Sequence, residues 1–272
     1  MTNGSRAYKH QVFNDSGYVL LYPNVADETD LLQAYPPNPY AESATQLFPL
    51  GTKLVQGERV WRYTKNGTVA LNIAAPTQSA AAVHAEQDDD IVTGAASAIG
   101  SYEVHLTSTG NLDTGALASA DGLKDGYLIV NDEAGEGQLY KIKSSEAFVT
   151  TGDVKIMLYD PLTVALTTSS QVGVVQNPFA NVIVTTAVVS GIFTGVPLLA
   201  ITANYYFWSQ TGGPAPMIPN AAIAKGSYVV VGTTAAKADP GAGYTTELII
   251  GWAFTPAIAD TESFICYLTT DQ

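Results

Sequence analysis

The longest uncharged stretch of this chain runs from Pro161 to Ala224, and it restricts the possible folds more than any other feature. Its 64 residues contain no Asp, Glu, Lys or Arg, and they are mainly Val, Ile, Thr, Ala and Gly with turn residues between them. A soluble domain rarely has so much uncharged surface to bury within itself. The segment therefore either spans a membrane or supplies strands that are covered by a large β core and by other protein subunits.

The most apolar part of that stretch, Val182 to Ala203, has the length of a membrane span but the composition of strands. Of its 22 residues, 14 are apolar, and a helical span needs about 20. It also contains four Thr, two Gly and one Pro, and its many β-branched residues suit strands better than a helix. The nearest basic residues, Lys155 and Lys225, lie more than 20 residues away, so no basic anchor sets an orientation. We therefore predict strands here, and no membrane partner.

Charge and cysteine content argue against several further partners. The chain has 25 acidic and 12 basic residues and a formal net charge of −13. Because nucleic-acid binding requires clustered Lys and Arg, we expect no nucleic-acid partner. Cys266 is the only cysteine, so an intrachain disulfide and a Cys-type zinc site are excluded. The first residues lack the apolar core of a signal peptide, and we expect synthesis in a cytoplasm.

No residue pattern in the sequence is typical of an enzyme. The three histidines are scattered, and the usual hydrolase, dinucleotide-binding and nucleoside-triphosphate signatures are absent. Acidic residues cluster at Glu86 to Asp90 and at Asn131 to Gly137, but an EF-hand starting at Asn131 would need an acid where Ile142 stands. We predict no catalytic residue, no metal and no cofactor, and we leave open the weak binding of a hard cation by either acidic segment in an assembly. A polysaccharide-cleaving enzyme stays open, because paired catalytic carboxylates are defined only by their distance in the fold.

Residues 1–50 contain little apolar periodicity and are predicted to form an extended N-terminal arm. The segment from Tyr35 to Tyr40 contains three prolines, which fix φ and remove three backbone donors. Aromatic residues such as Phe48 give the arm anchors for another surface. The sequence also allows a short helix over residues 41–48, ended by Pro49.

The remainder of the chain favours strands. Val60 to Tyr63, Asn66-Gly67 and the alternating residues 69–73 predict a β-hairpin with a type I′ turn. From Ser101 onward, short strands recur with Gly and Pro turns at intervals of about 8–12 residues, which is typical of sandwiches and barrels. The predicted strands cover residues 102–106, 127–130, 138–142, 153–158, 171–175, 182–189, 198–203, 205–209, 227–231, 247–254 and 263–268.

The sequence therefore predicts an all-β protein. We expect a β-sandwich or β-barrel body of antiparallel strands in a Greek-key or jelly-roll-like order, preceded by the arm. The predicted regions are the arm at 1–50, a β domain at 51–160 with the hairpin and an Ala-rich covered segment, and a low-charge β domain at 161–272. The last two can also form one continuous body.

The run from Tyr205 to Trp208 places alternate rings on opposite faces of a strand. One pair can fill a core while the other contacts a neighbouring molecule or a sugar. We favour a core with a subunit contact, which is the commoner use of such rings.

Eight short motifs occur along the chain, at residues 57–63, 125–128, 135–142, 154–162, 195–197, 205–213, 225–228 and 250–253. The first four resemble structural proteins of tailed-phage heads, and the four of the C-terminal part are similar in spacing to capsid cement or decoration proteins. The resemblance covers roughly residues 50–272.

The resemblance implies a compact β domain that sits on a viral capsid, often as a trimer. We therefore expect a virion structural protein on the capsid exterior, a decoration or cement protein that bridges capsid subunits. Its partners would be the major capsid protein and copies of itself in a homotrimer. The alternative is a phage tail or fibre module that binds host glycan through the Tyr205 to Trp208 face. The residues expected to contact the shell are Tyr35, Tyr40 and Phe48, and those expected between copies are Val184, Tyr206 and Trp208.

Overall fold

The computed structural model describes the backbone of residues 10–13 and 18–21, and residues 37–187, 190–241, 248–258 and 262–271. The protein is nearly all β, with 42% strand and 2% helix, and its antiparallel sheets curl into a half-barrel and a nearly closed barrel. The predicted all-β class is thus confirmed. Within the described ranges, no helix has the length and apolar character needed to cross a membrane.

Eighteen strands and one short helix are described, and they follow one another along the chain. In order they are β1 (His10–Phe13), β2 (Tyr18–Leu21), β3 (Lys53–Gln56), β4 (Arg59–Lys65), β5 (Thr77–Gln78), α1 (Glu86–Asp89), β6 (Ile91–Val92), β7 (Glu103–Ser108), β8 (Tyr127–Asp132), β9 (Leu139–Ser145), β10 (Gly152–Leu158), β11 (Gln171–Val175), β12 (Ile183–Val184), β13 (Phe193–Pro197), β14 (Tyr206–Met217), β15 (Tyr228–Val231), β16 (Ala238–Pro240), β17 (Ile249–Ala253) and β18 (Phe264–Thr269).

The chain forms two compact units whose boundaries differ from the predicted regions. The first unit combines Met1–Ala80 with Phe179–Gln272, and the second is Ala81–Pro178. We expected a change near residue 160 because the charge falls there. Strand pairing instead places the boundary after β11, because the uncharged β11 pairs along its length with β8 of the second unit. The uncharged stretch is therefore shared between the two units.

The first unit contains a 12-stranded sheet in the order β1-β2-β3-β4-β14-β18-β17-β15-β16, with β5, β12 and β13 paired outside this path. The central strand β14 is long because β4 pairs with its first half and β18 with its second half. Gly213 makes the close approach possible. Its φ is +74°, and a Cβ there would lie 2.4 Å from the backbone oxygen of Glu58.

The predicted arm contributes two strands to this sheet. Val19 of β2 pairs with Val55 of β3, and β1 pairs with β2, so both strands extend the sheet at one edge. Residues 41–48 form no helix. Glu42 instead accepts hydrogen bonds from the backbone and hydroxyl of Thr202, at 2.6 and 2.8 Å, and Ser43 bridges to Tyr206. These long-range contacts hold the segment in an extended form.

The prediction of a hairpin turn at Asn66-Gly67 is wrong. The chain turns instead between β3 and β4, before it reaches Asn66. β3 and β4 are joined by a two-residue turn in which Gly57 has a φ of +58°. Asn66 is fully buried, and its side-chain amide donates to the backbone oxygens of Val69 and Thr202. These hydrogen bonds hold Asn66 in the interior and link it to the segments around Val69 and Thr202. The Asn-Gly pair therefore forms no hairpin turn.

The second unit contains six strands in the order β6-β11-β8-β9-β10-β7. A bridge between Thr93, just after β6, and Leu106 of β7 links the two ends of this order, so the sheet nearly closes on itself. The strands predicted at 127–130 and 138–142 are present as β8 and β9, which pair with each other as an antiparallel hairpin. Inward residues of every strand fill one core, including Ile91, Val104, Leu128, Ile142, Ile156 and Val172.

Candidate interaction surface

Three residues that we expected at contacts with partners lie together in one aromatic cluster of the first unit. The ring centroids of Phe48 and Trp208 are 5.2 Å apart, and Tyr63 lies 5.0 Å from Trp208 and stacks on Tyr206 at 6.0 Å. Phe48 is only 4% exposed and Trp208 2%. Neither ring can therefore reach a shell or a second copy, and we correct both predictions. Tyr206 stays half-buried, and its pKa is raised by burial.

These predictions failed because β14 is covered on both of its faces. The sequence alternation suggested one inward and one outward pair of rings. In the structure Phe207 is buried in a second cluster with Leu71, Val182 and Ile201, on the other side of the strand from Trp208. Val184 packs half-buried against that second cluster, so only part of its side chain is accessible.

The other two predicted contact residues have different outcomes. Tyr40 is 57% exposed, and Arg59 holds its ring in place. The Arg59 guanidinium carbon lies 6.0 Å from the Tyr40 ring centroid and 4.5 Å from that of Trp61, and an Arg59 Nη2 donates to the Tyr40 hydroxyl at 3.1 Å. Tyr40 is thus accessible to a partner, as a shell contact requires. Tyr35 lies outside the described residues.

A different group of apolar side chains forms an exposed aromatic face on the outer side of β15, β17 and β18. We define the aromatic face by the residues Tyr228, Trp252, Phe254, Ile265 and Tyr267. Strand register pairs Tyr228 with Trp252 and Trp252 with Tyr267. The ring centroids of Tyr228 and Trp252 are 6.2 Å apart, and those of Phe254 and Tyr267 are 6.5 Å apart. The rings therefore form one continuous row across three strands.

The aromatic face has a large accessible area and no charged member. Trp252 is 45% exposed, Phe254 57% and Ile265 40%. On β14, Pro214 and Pro216 pair with Tyr267 and Ile265 and are half-buried, so they extend the face without adding charge. The largest apolar patch of a typical monomer measures about 300–600 Å² and is often functional. Such a row of rings is therefore a candidate binding surface.

A β-bulge explains why Trp252 points outward. Simple alternation along β17 would place Ile250 and Trp252 on the same side. The register with β15 shifts at Ile250, which turns inward and is fully buried, while Trp252 remains exposed. Gly251 fits between them because a Cβ there would lie 2.2 Å from the backbone oxygen of Tyr267. Sequence analysis missed the face because an extra residue in a strand reverses every side chain beyond it. The signal in the sequence that could have indicated this bulge was the pair Gly251-Trp252.

A pocket of about 340 Å³ borders the aromatic face at Tyr267. It is lined by Lys53, Val55, Gly57, Glu58, Val60, Gly213, Tyr267, Leu268 and Asp271. Asp271 accepts hydrogen bonds from Lys53 Nζ at 3.0 Å, Arg62 Nε at 2.5 Å, Arg62 Nη2 at 3.1 Å and the Thr211 hydroxyl at 3.1 Å. These contacts tie the last described residues to β3, β4 and β14.

The environment of Asp271 favours its charged form. Burial of the carboxyl opposes ionisation, but the hydrogen bonds from Arg62 and Lys53, with the attraction of their charges, outweigh it and lower the pKa of Asp271. Both cations thereby share one anion within the fold. This cluster therefore supports the structure beside the face and does not by itself form a ligand site.

A second charged cluster lies on the outer side of β7 and β10 in the second unit. His105 Nδ1 is 2.6 Å from Asp153 Oδ2, and His105 Nε2 is 2.8 Å from Glu103 Oε1. The hydrogen bond with Asp153 is the main cause that raises the pKa of His105 above its ordinary 6.5. Because the carboxylates bind opposite ring nitrogens, they do not converge on one ion. Across the part of the chain that the structure describes, including both acidic segments named above, no group of three or more His, Cys, Asp or Glu side chains is placed to hold a metal.

Comparison with protein-family models, with curated proteins and with solved structures found no match to this chain. The function must therefore be argued from the chain's own residues and surfaces.

Proposed function

We propose that this protein is a virion structural protein, a decoration or cement protein that binds the outer surface of a phage head. It would bridge subunits of the major capsid protein, associate with copies of itself as a homotrimer, and have a structural role without catalysis. The observation that carries the proposal is the uncharged aromatic face on a rigid β-sheet.

The physical basis is the burial of apolar surface. Removing apolar area from water contributes about 25 cal/mol per Å², and obligate assemblies commonly bury more than about 2,000 Å². Because the face has no charged side chain, covering it with another protein costs little desolvation free energy. A molecule that touches two capsid subunits must be displaced before these subunits separate, and this is how a cement protein would strengthen the shell. The sequence resemblance to head proteins supports the same role.

The exposed Tyr40 of the first unit offers a further contact, through a residue that is not a member of the aromatic face. Its ring and hydroxyl are fixed by Arg59, so little side-chain freedom would be lost on binding. We assign Tyr40 to the shell contact. Tyr35, which the sequence analysis also predicted for that contact, is kept with it.

The glycan-binding alternative has less support than it had from sequence. Its proposed face contained Trp208, which is 2% exposed. The aromatic face could stack on a sugar, but apart from two phenols and one indole N–H its residues carry no polar side-chain atom. Sugar hydroxyls that lose water need hydrogen-bond partners. A protein surface therefore fits this face better.

The test is binding to phage heads that lack this chain. Purified protein is added, the heads are sedimented, and decorated particles are imaged by cryo-electron microscopy. We expect saturable binding at regular positions on the head, and a higher temperature of DNA release from the decorated heads. Density for the chain on the tail, or the absence of binding to heads under any condition, would contradict the proposal. Binding to a glycan array that Trp252→Ala abolishes would favour the alternative.

A further inference from the structure

We infer that the aromatic face of Tyr228, Trp252, Phe254, Ile265 and Tyr267 is the contact between copies of this chain. This inference rests on the proposed function, in which copies associate on the shell. It replaces the buried Trp208 and the largely covered Val184 and Tyr206 as the centre of that contact.

Charge selects a second copy as the partner for this face. Each chain has a formal net charge of −13, so two copies repel one another through most of their surfaces. The aromatic face and its flanking prolines contain no acidic side chain, so the faces of neighbouring copies can converge around a three-fold axis with no carboxylate of the face in the contact. A basic partner would find no carboxylate among the residues of the face itself. An uncharged apolar face therefore suits another acidic copy.

The exposed area is consistent with the centre of a protein–protein interface. A large aromatic side chain buries about 150–250 Å², so Trp252 at 45% exposure and Phe254 at 57% each leave roughly 100 Å² in water. The face as a whole can supply the apolar centre of a standard interface, which buries about 800 Å² per partner. Trp and Tyr are also the residues that most often dominate such interfaces.

The geometry of the face favours a rigid contact. The rings lie on paired strands, and the bulge at Ile250 fixes the direction of Trp252. Tyr228 packs over Gly241, where an added Cβ would lie 1.8 Å from the Tyr228 ring. Little conformational entropy would be lost when a second copy covers these side chains.

The experiment is sedimentation-velocity analysis of the full chain over a range of concentrations. The variants are Trp252→Ala, which removes the largest ring, and Ile265→Glu, which adds a carboxylate that contact would desolvate. Tyr102→Ala is the matched control, because Tyr102 is an aromatic of similar exposure, 48%, on the second unit. Circular dichroism melting identifies any variant that fails to fold, and Ile265→Glu tests the face without disturbing the ring row.

We expect the wild type and Tyr102→Ala to sediment as multiples of the 28.6 kDa chain. Trp252→Ala should raise the dissociation constant at least about tenfold, and folded Ile265→Glu should sediment as a monomer. Association of the wild type should strengthen with added salt, because salt screens the repulsion between acidic copies.

The inference is overturned if both folded variants associate like the wild type. It is also overturned if Trp252→Ala still associates but no longer binds heads, since the shell protein would then occupy the face. A wild type that binds heads but stays monomeric there contradicts this inference and leaves the head location intact. Failure of the wild type both to associate and to bind heads would instead remove the proposed function itself.

Discussion

Removing the Asp271 carboxylate should destabilise the first unit. In Asp271→Ala, Lys53 and Arg62 lose their shared anion while their side chains remain 16% and 26% exposed. Breaking a fully buried ion pair costs about 3–5 kcal/mol, and a surface pair contributes about 0–1 kcal/mol. Asp271 is itself 16% exposed and accepts four hydrogen bonds. We therefore expect a loss of about 2–3 kcal/mol in the free energy of unfolding.

Tryptophan fluorescence during guanidinium unfolding measures this loss in the relevant unit. Trp61, Trp208 and Trp252 are the chain's only tryptophans, and all three belong to the first unit. The matched control is Glu262→Ala, which removes the same charge from an exposed position and should change stability by less than about 0.5 kcal/mol.

The effect of Asp271→Ala should depend on pH in a defined direction. The pKa of Asp271 is lowered in the folded state, so its contribution is fully present above the unfolded value of about 3.9. That contribution disappears as the pH falls through the lower, folded-state pKa. The difference between wild type and variant should therefore be constant from pH 6 to 8 and shrink below about pH 4. A variant as stable as the wild type at pH 7, or a difference that persists at the lowest pH, would refute this reasoning.

Three further predictions concern single residues. His105 has a raised pKa because of its hydrogen bond with Asp153, so the stability that protonated His105 adds to the second unit should be present below about pH 6.5 and decline as the pH rises through the folded-state value. Thermal melting by circular dichroism should show that decline in the wild type and not in His105→Gln; identical pH profiles would contradict it. Gly251→Ala should cost about 1–3 kcal/mol, because its Cβ would lie 2.2 Å from the Tyr267 backbone oxygen; an unchanged guanidinium midpoint would show that the strands separate easily. Burial raises the pKa of the Cys266 thiol to about 12, so a thiol reagent should label it only after denaturation, and rapid labelling of the native protein would contradict its buried position.

Much of the local structure followed from sequence pattern alone. The strand predicted at residues 171–175 coincides with β11, and those predicted at 153–158, 227–231 and 263–268 match β10, β15 and β18 to within one residue at each end. These strands were predictable because their β-branched and aromatic residues favour extended backbone and because turn residues separate them. By contrast, residues 198–203 form no strand, and the pairing segment precedes them as β13.

The all-β class, the acidic net charge and the abundance of uncharged strand-forming residues follow directly from the order of amino acids. The set of side chains that remain accessible depends on the folded arrangement. Phe48 and Trp208 became buried because distant segments cover both faces of β14. Trp252 became exposed because the register shifts by one residue at Ile250. Propensity acts between neighbours along the chain, whereas burial depends on strand order and register, which are set by contacts between residues far apart in sequence.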